Sequence, residues 1–504
     1  MPLERDEGEY AYAGQLILQG ISPYQLAYNM KLPGTYAAYA VILAIFGQTP
    51  SGIHTGLLVV NAATTLIIFL ITRRLLDALA AVVAASSYGL LSTSPSVLGL
   101  AAHAAHFVVL AGTAAVLVLL KAIESRRTGL FFCSGLLAGV AFVMKQPGIV
   151  FLVFAGMYLL KSEWKHRFEG RGPAVRAGVF LLGGIVPYLL TCLFVLTAGT
   201  FKSFWLWTFL YARQYATSLS ISDGMQAFTE TFPQIVAPAL PIWIIAAAGL
   251  TTMFWNSRVR ANAVFFGGFI VFSFLGVCPG FYFREHYFIL MLPAVAMLTG
   301  VAVSSAWQFL SEHRSLCALH VAPVFLFLLA CSYALFQQRQ FLFELDPVAA
   351  CREMYGGNPF PEALKIADYL RSHSTKETRV AVLGSEPEIY FYAKRHSATG
   401  YIYTYPLMEE QEYALKMQSQ MIHEIEEAQP GFIVYVDVPT SWLVRPGTKQ
   451  EQFFTWAEQY VEKSYELIGT VDILGDHTEY HWDEDAKTYV PRSDLRVQVF
   501  RRKA

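Results

Sequence analysis

The chain has 504 residues, of which 55% are hydrophobic and only 15% charged, with a mean hydropathy of +0.40. Soluble domains carry roughly a quarter charged residues, so this composition excludes an ordinary soluble enzyme and places most of the chain in lipid. A net charge of −1 gives no basis for binding nucleic acid. About two-thirds of the acidic residues lie after Gln337, which predicts a membrane domain followed by a soluble one.

The opening residues, MPLERDEGEY, set Glu4, Arg5, Asp6, Glu7 and Glu9 at the head of an amphipathic stretch over 9–20 that carries Tyr10 and Tyr12. No apolar run ahead of them can act as a signal peptide. Such acids either favour a helix start, through its dipole and free N–H groups, or hold a carboxylate beside lipid as a general base or metal ligand. The next polar group is Tyr28-Asn29-Met30-Lys31-Leu32-Pro33-Gly34, in which Lys31 either snorkels to the interface or aims a cation at a phosphate. A spanning helix needs about 20 apolar residues, so the segment 34–47 is too short to cross. With 9–20 it reads as a helix lying in or against the outer interface.

Ten segments then have spanning character, near 52–72, 76–94, 100–121, 128–144, 147–161, 174–196, 234–255, 260–278, 286–307 and 316–336. Alternate loops hold the basic residues: Arg73-Arg74; Lys121 with Arg126-Arg127; Lys161, Lys165, Arg167, Arg171 and Arg176; Arg258 with Arg260; and Arg314. By the positive-inside rule this side is cytoplasmic, and the N-terminus, the stretch from Phe201 to Phe232 and everything after the last span face outward. An outward start without an export signal implies a further in-to-out helix ahead of residue 1. The six cysteines (Cys133, Cys192, Cys278, Cys317, Cys331 and Cys351) are scattered, with neither metal-ligand spacing nor a disulfide framework.

Beyond Arg339 helix-like and strand-like stretches alternate, which predicts a small α/β domain. PEALKIADYLRSHS, EPEIYFYAKRHS and EQFFTWAEQYVEKSYELIG read as helices; TRVAVLGS, GFIVYVDV and a closing LRVQVFRRK read as strands. The glycine fingerprint of a nucleotide site is not among them. The expected domains are thus 1–51, an extracytoplasmic loop with juxtamembrane helices; 52–336, transmembrane; and 337–504, an extracytoplasmic α/β domain.

Two more polar groups face outward. In Phe281-Tyr282-Phe283-Arg284-Glu285-His286-Tyr287, either an aromatic belt carries snorkelling charges, or Arg284 and His286 grip a phosphate oxygen. His103 and His106, one helical turn apart, are interfacial polar residues or weak metal-ligand candidates. Lys145, in Lys145-Gln146-Pro147, faces the same side.

The order of these pieces resembles the GT-C superfamily of polyprenyl-phosphate-sugar-dependent glycosyltransferases. The branch it is most similar to is the bacterial one of protein O-mannosyltransferases and of the aminoarabinose and galacturonic acid transferases of lipid A. Asp6-Glu7 matches the acidic pair that opens that family's juxtamembrane helix. Lys31-Leu32-Pro33 stands where the family has Lys-Pro-Pro, with the first proline replaced. FYFREHYFILMLP matches its late aromatic-His-Tyr segment, and GSEPEIYFYAKRHSATGYIY resembles the tail of bacterial members. Two departures stand out: the family's first helix is absent, and His106 sits where many members have an acid, which weakens any second-carboxylate or metal role.

The resemblance implies a polytopic α-helical membrane protein of GT-C type, about ten spans with a C-terminal α/β domain, in the bacterial cytoplasmic membrane. It implies transfer of a sugar, with inversion, from a polyprenyl-phosphate donor to a hydroxyl on a lipid, glycan or protein acceptor. Asp6 would be the base and Glu7 its reserve; Lys31, Arg284, His286 and Tyr287 would bind the donor phosphate; Tyr10, Tyr28, His106 and Lys145 would contact substrate. No cofactor is required by this reading, and whether a divalent cation joins Asp6 stays open. A transporter or flippase of lipid-linked sugars is the competing class, against which stands the lack of an internal repeat; a non-catalytic scaffold is the third.

Overall fold

The computed structural model describes residues 1–164, 172–313, 319–444, 451–475 and 477–503. Helix α1 (Arg5–Leu18) begins with a reciprocal cap: the Glu4 carboxylate accepts from the Glu7 N–H, and the Glu7 carboxylate accepts from the Glu4 N–H. Asp6 and Glu7 in its first turn also favour the helix dipole. Helix α2 (Gly34–Phe46) follows Pro33 and ends where Gly47 takes a φ of 89°.

These two helices correct the interfacial reading in part. Every residue of α1 from Glu7 to Leu16 is buried, because the helix is sandwiched between α2 and the C-terminal domain. With Tyr10, Ala11, Tyr12 and Ala13 in succession it has no polar face to give to water. α2 keeps an exposed apolar edge at Val41, Ile45 and Phe46, and α1 exposes only its last residue, Leu18.

Helices α3 (Pro50–Leu75), α4 (Ala78–Leu91), α5 (Ala104–Ser125), α6 (Thr128–Met144), α7 (Ile149–Glu163) and α8 (Gly172–Thr197) come next. Apolar helical stretches at Ile221–Phe254, Ala263–Val277, Glu285–Glu312 and Ala322–Gln337 complete the bundle, so each anticipated segment is helical. Five of the ten (α3, α5, α8, Ile221–Phe254 and Glu285–Glu312) are long and apolar enough to cross a membrane alone; the others are shorter. The protein is a polytopic helical membrane protein. Its core helix is Glu285–Glu312, whose apolar window is wholly buried.

Small residues set the closest helix approach. A Cβ on Gly135 of α6 would lie 2.0 Å from the Phe180 carbonyl oxygen, and one on Gly139 would lie 2.3 Å from that of Gly184 on α8. Where no water drives helices together, such backbone-to-backbone packing is what holds them. At one end of the bundle Glu163 accepts from both Arg126 (3.3 Å) and Arg176 (2.5 Å), and Arg74 pairs with Glu124, so these basic residues share one face. Lys165, Arg167, Arg171, Arg314 and Cys317 lie outside the described residues.

The C-terminal domain contains helices Phe360–Ser372, Glu388–Ala393, Ala414–Ala428 and Glu451–Ser464 around one five-stranded sheet. Its strands are β1 (Val380–Leu383), β2 (Phe432–Asp437), β3 (Tyr465–Ile473), β4 (Thr478–Trp482) and β5 (Arg496–Arg502), in the order β1-β2-β5-β3-β4. β1 and β2 are parallel and the remaining pairs antiparallel. Two sequence readings change. The helix expected through SYELIG stops at Ser464, because Tyr465 onward pairs with β5 from Arg502 backward. β5, expected as a closing strand, is inserted between β2 and β3, where Val497 and Val499 are fully buried.

Candidate active site

Where α1 meets the bundle, a cavity of about 180 Å³ is lined from three directions. α1 and the loop after it bring Asp6 and Lys31; the bundle brings Lys145, Arg284, His286 and Tyr287; the C-terminal domain brings Tyr403 and Tyr405. Asp6 sits at the centre. Its Oδ1 accepts from Lys31 Nζ at 3.0 Å and from Tyr403 O–H at 2.8 Å, and its Oδ2 lies 3.8 Å from His103 Nδ1. Burial alone would raise the Asp6 carboxyl, but Lys31 and the two histidines outweigh it and hold Asp6 well below the usual carboxylate range.

Lys31 is shared. Its Nζ also donates to Glu9 Oε2 at 2.7 Å and stands 4.6 Å from the centre of the Tyr10 ring. Glu9 is fully buried and saturated, accepting from Asn29 Nδ2 at 2.8 Å and from Tyr36 O–H at 2.5 Å. Against the cost of burial, Asp6 and Glu9 keep Lys31 well above its ordinary pKa, so it is a fixed cation.

Lys145 is different. Its Nζ lies 4.2 Å from the centre of the Tyr287 ring and makes no ion pair among the described residues. Burial, aided by Lys31 and Arg284, outweighs the pull of Asp6 and brings it down to about 7. Arg284 and His286 are presented by a strained segment: Gly280, Phe281 and Phe283 have φ of 76°, 57° and 43°. Two aromatic residues in the left-handed region cost on the order of 1–3 kcal/mol each. The packing of Phe283 on Phe228 at 5.1 Å and of Phe281 against Gly224 holds them there.

The remaining sequence candidates line up beside the cavity rather than in its wall. Glu7 is fully buried and accepts from the Ala102 N–H at 2.7 Å and from His54 Nε2 at 3.1 Å, which outweigh burial and lower its pKa. It ties α1 to the loop before α5. Tyr10 lies under Lys31, and Tyr28 stacks on Trp207 at 5.9 Å while donating to Glu424 at 3.2 Å. His106 points its Nδ1 at Asn61 Oδ1, 3.0 Å away.

The region 31–191 matches the family model described as dolichyl-phosphate-mannose-protein mannosyltransferase. The crystal structure of ArnT from Cupriavidus metallidurans bound to undecaprenyl phosphate aligns with a TM-score of 0.60 at 15% identity, covering 99% of this chain and 94% of that one. The archaeal oligosaccharyltransferase AglB from Archaeoglobus fulgidus, in complex with an inhibitory peptide and a dolichol-phosphate, aligns with a TM-score of 0.51 at 12% identity, covering 98% and 71%. A crystal structure of the Archaeoglobus fulgidus oligosaccharyltransferase in complex with Zn and sulfate gives 0.50 at 13% identity, covering 96% and 70%. The fold is that of the GT-C glycosyltransferases. A search of curated protein sequences finds no match.

Within this GT-C arrangement, sequence reasoning missed Glu9 and the C-terminal tyrosines. Glu9 follows Asp6 by three positions and so shares its helix face, a signal that was available. Tyr403 is the last residue of the tail segment GSEPEIYFYAKRHSATGYIY, but nothing local marks it as reaching Asp6. The same GT-C core brings Asp6, His103 and His286 together: one ligand atom from each lies within 4.8 Å of the others. The two imidazoles stack with centroids 4.2 Å apart, and both buried ring nitrogens of His103 lack a hydrogen-bond partner among the described residues. One carboxylate and two imidazoles are the donor set of a divalent cation, so these residues fit one.

Proposed function

We propose that this chain is an inverting glycosyltransferase. In this reading it moves a sugar from a polyprenyl-phosphate donor to a hydroxyl acceptor at the outer face of a bacterial cytoplasmic membrane, with its C-terminal domain extracytoplasmic. One observation carries it: the partly buried Asp6 carboxylate faces a cavity lined by three cations, Lys31, Lys145 and Arg284, with one further carboxylate, Glu409, which accepts from Tyr211 O–H at 2.7 Å. The lipid-phosphate ligands of the ArnT and AglB structures support the donor class.

The acceptor hydroxyl is a poor nucleophile at neutral pH and must lose its proton as it attacks the anomeric carbon; Asp6 takes that proton. In the donor-free site Lys31 makes Asp6 too weak a base for the task, since efficiency favours a pKa near the working pH. The donor phosphate resolves this. As an anion it competes with Asp6 for Lys31, and a carboxylate released from its cation becomes more basic. Glu9 keeps Lys31 in reach throughout. As the glycosidic C–O bond breaks, negative charge grows on the departing phosphate, where Lys31, Lys145 and Arg284 meet it without a proton transfer. One base on one face and one leaving group on the other give a single displacement, hence inversion. A cation held by Asp6, His103 and His286 would add Lewis-acid stabilisation of that phosphate. The three cationic side chains already supply this charge, so EDTA treatment is expected to leave transfer intact, and loss restored by added Mn²⁺ or Zn²⁺ would assign the ion a working role.

The reading is tested by expressing the chain in membranes beside Asp6→Asn and following transfer from radiolabelled polyprenyl-phosphate sugars. Transfer by the parent and a loss of about 10²–10⁴-fold in Asp6→Asn, at equal protein levels, is the expected result. Equal transfer by both removes Asp6 as base. Translocation of the lipid-linked sugar without transfer would select the flippase class instead.

A further inference from the structure

The C-terminal domain has a second cleft, of about 870 Å³, that shares no lining residue with the catalytic cavity. Its floor is one face of the sheet. Tyr435 and Asp437 alternate along β2, Gln498 and Arg496 stand opposite them on β5, and Phe500 follows two residues on. Its wall is the helix Glu451–Ser464, which buries Phe453 and Ala457 in the domain core and leaves Phe454, Glu458 and Val461 along the cleft. The helix is held off β5 by Trp442, whose ring packs on Phe454 at 4.8 Å and on Tyr435 at 6.1 Å.

The chemistry of this lining is specific. Three half-buried aromatic residues, Tyr435, Phe454 and Phe500, pack on the domain core with one side and line the cleft with the other. Between them the Gln498 amide and the Glu458 carboxylate make no hydrogen bond or ion pair among the described residues. Asp437 and Arg496 are joined at 2.7 Å, and Arg496 Nε is buried without an acceptor. Aromatic rings cover the apolar C–H faces of a pyranose, while an amide, a carboxylate and a guanidinium meet its hydroxyls as donors and acceptors. The free acids, Glu451, Glu458 and Glu462, all lie on the helix side and set a negative field that disfavours phosphates and uronates. On the floor, Asp437 is already paired with Arg496, and the Gln498 amide offers a donor and an acceptor to hydroxyl groups.

We propose that this cleft is a carbohydrate-binding site for a neutral glycan, distinct from the donor site and able to hold a glycosylated acceptor or product on the soluble domain. Binding here requires no donor and no catalysis, so it stands or falls apart from the transferase reading.

The test uses the full chain in lipid nanodiscs, free of glycoside detergents, and saturation-transfer NMR. The probes are neutral oligosaccharides of glucose, mannose and N-acetylglucosamine, an oligogalacturonate and a lysine-rich peptide. At least one neutral oligosaccharide is expected to bind, and Asp6→Asn is expected to bind it equally. Glu458→Ala, an exposed position that leaves folding intact, and Gln498→Ala are each expected to weaken binding by about tenfold, the loss from one deleted polar partner. The proposal is overturned if no neutral oligosaccharide binds, if only the peptide or the oligogalacturonate does, or if Glu458→Ala and Gln498→Ala both bind as the parent does.

Discussion

Lys31 and Lys145 show how two lysines in one cavity acquire different duties from their neighbours. Lys31 is pinned between Asp6 and Glu9 and stays charged, whereas Lys145 lies against the Tyr287 ring with no ion pair among the described residues, and burial brings it down to about 7. A depressed lysine is charged below its pKa and neutral above it, and a phosphate binds the charged form. In the free enzyme, kcat/KM for the donor should therefore fall as pH rises through about 7, while kcat, which reports the donor-bound state, should fall less. Lys145→Arg keeps its charge and should flatten that limb; an unchanged limb would assign it elsewhere. Glu9→Gln removes the second anchor of Lys31, and misplacing a charge by about 1 Å is worth on the order of 10²-fold in rate. The expected result is a fall in kcat of that order with the protein still folded, read by steady-state kinetics beside a thermal melt. At this scale Asp6, Lys31, Arg284 and His286 were legible because charge in so apolar a chain is conspicuous. Glu7 shows the limit of that signal: it is as acidic and as close as Asp6, yet the one-residue step along the helix rotates it by about 100° towards Ala102 and His54.

At the scale of elements, helix α1 joins the two halves of the molecule. Gly8 is there because a Cβ would sit 2.6 Å from the Glu388 backbone nitrogen, in the C-terminal domain. Gly8→Ala should lower stability by about 1–3 kcal/mol, as overpacking does, and should cut transfer because Asp6 moves with the helix. Gly178→Ala on α8, with nothing within 4 Å, should do neither, and parallel melts in detergent make the comparison. Most helices were readable from length and apolar content, since lipid leaves the backbone few alternatives. The break at Ser464 was not, because YELIG carries helix-compatible residues and becomes a strand only by pairing with β5. Tertiary partners decide such short segments.

Across the whole molecule, the C-terminal domain closes one side of the candidate site. Arg5, next to Asp6, donates to the Ser385 carbonyl at 2.6 Å and to Glu386 at 2.9 Å, and lies 5.3 Å from the centre of the Tyr405 ring. Glu386 in turn accepts from Ser441 at 2.6 Å, so the pair is buried and fully hydrogen-bonded. Breaking it by Arg5→Met leaves Glu386 uncompensated, and such losses run to about 3–5 kcal/mol. Arg5→Met should therefore destabilise the chain and slow transfer, and Arg5→Met with Glu386→Met should recover part of the stability. The two-domain order was visible in the distribution of acids, but the closure of Tyr403 onto Asp6 was not: a contact across 397 positions leaves no local trace.

The central claim is that Asp6 and the facing cations drive a single displacement at the anomeric carbon of a polyprenyl-phosphate sugar. Its most direct measurement is product analysis: incubating the purified chain in nanodiscs with an anomerically pure donor and an acceptor, then assigning the new glycoside by NMR and quantifying free polyprenyl phosphate. One equivalent of polyprenyl phosphate per glycoside is expected, with the anomeric configuration opposite to the donor's. A glycoside of retained configuration, or transfer without release of polyprenyl phosphate, would contradict it.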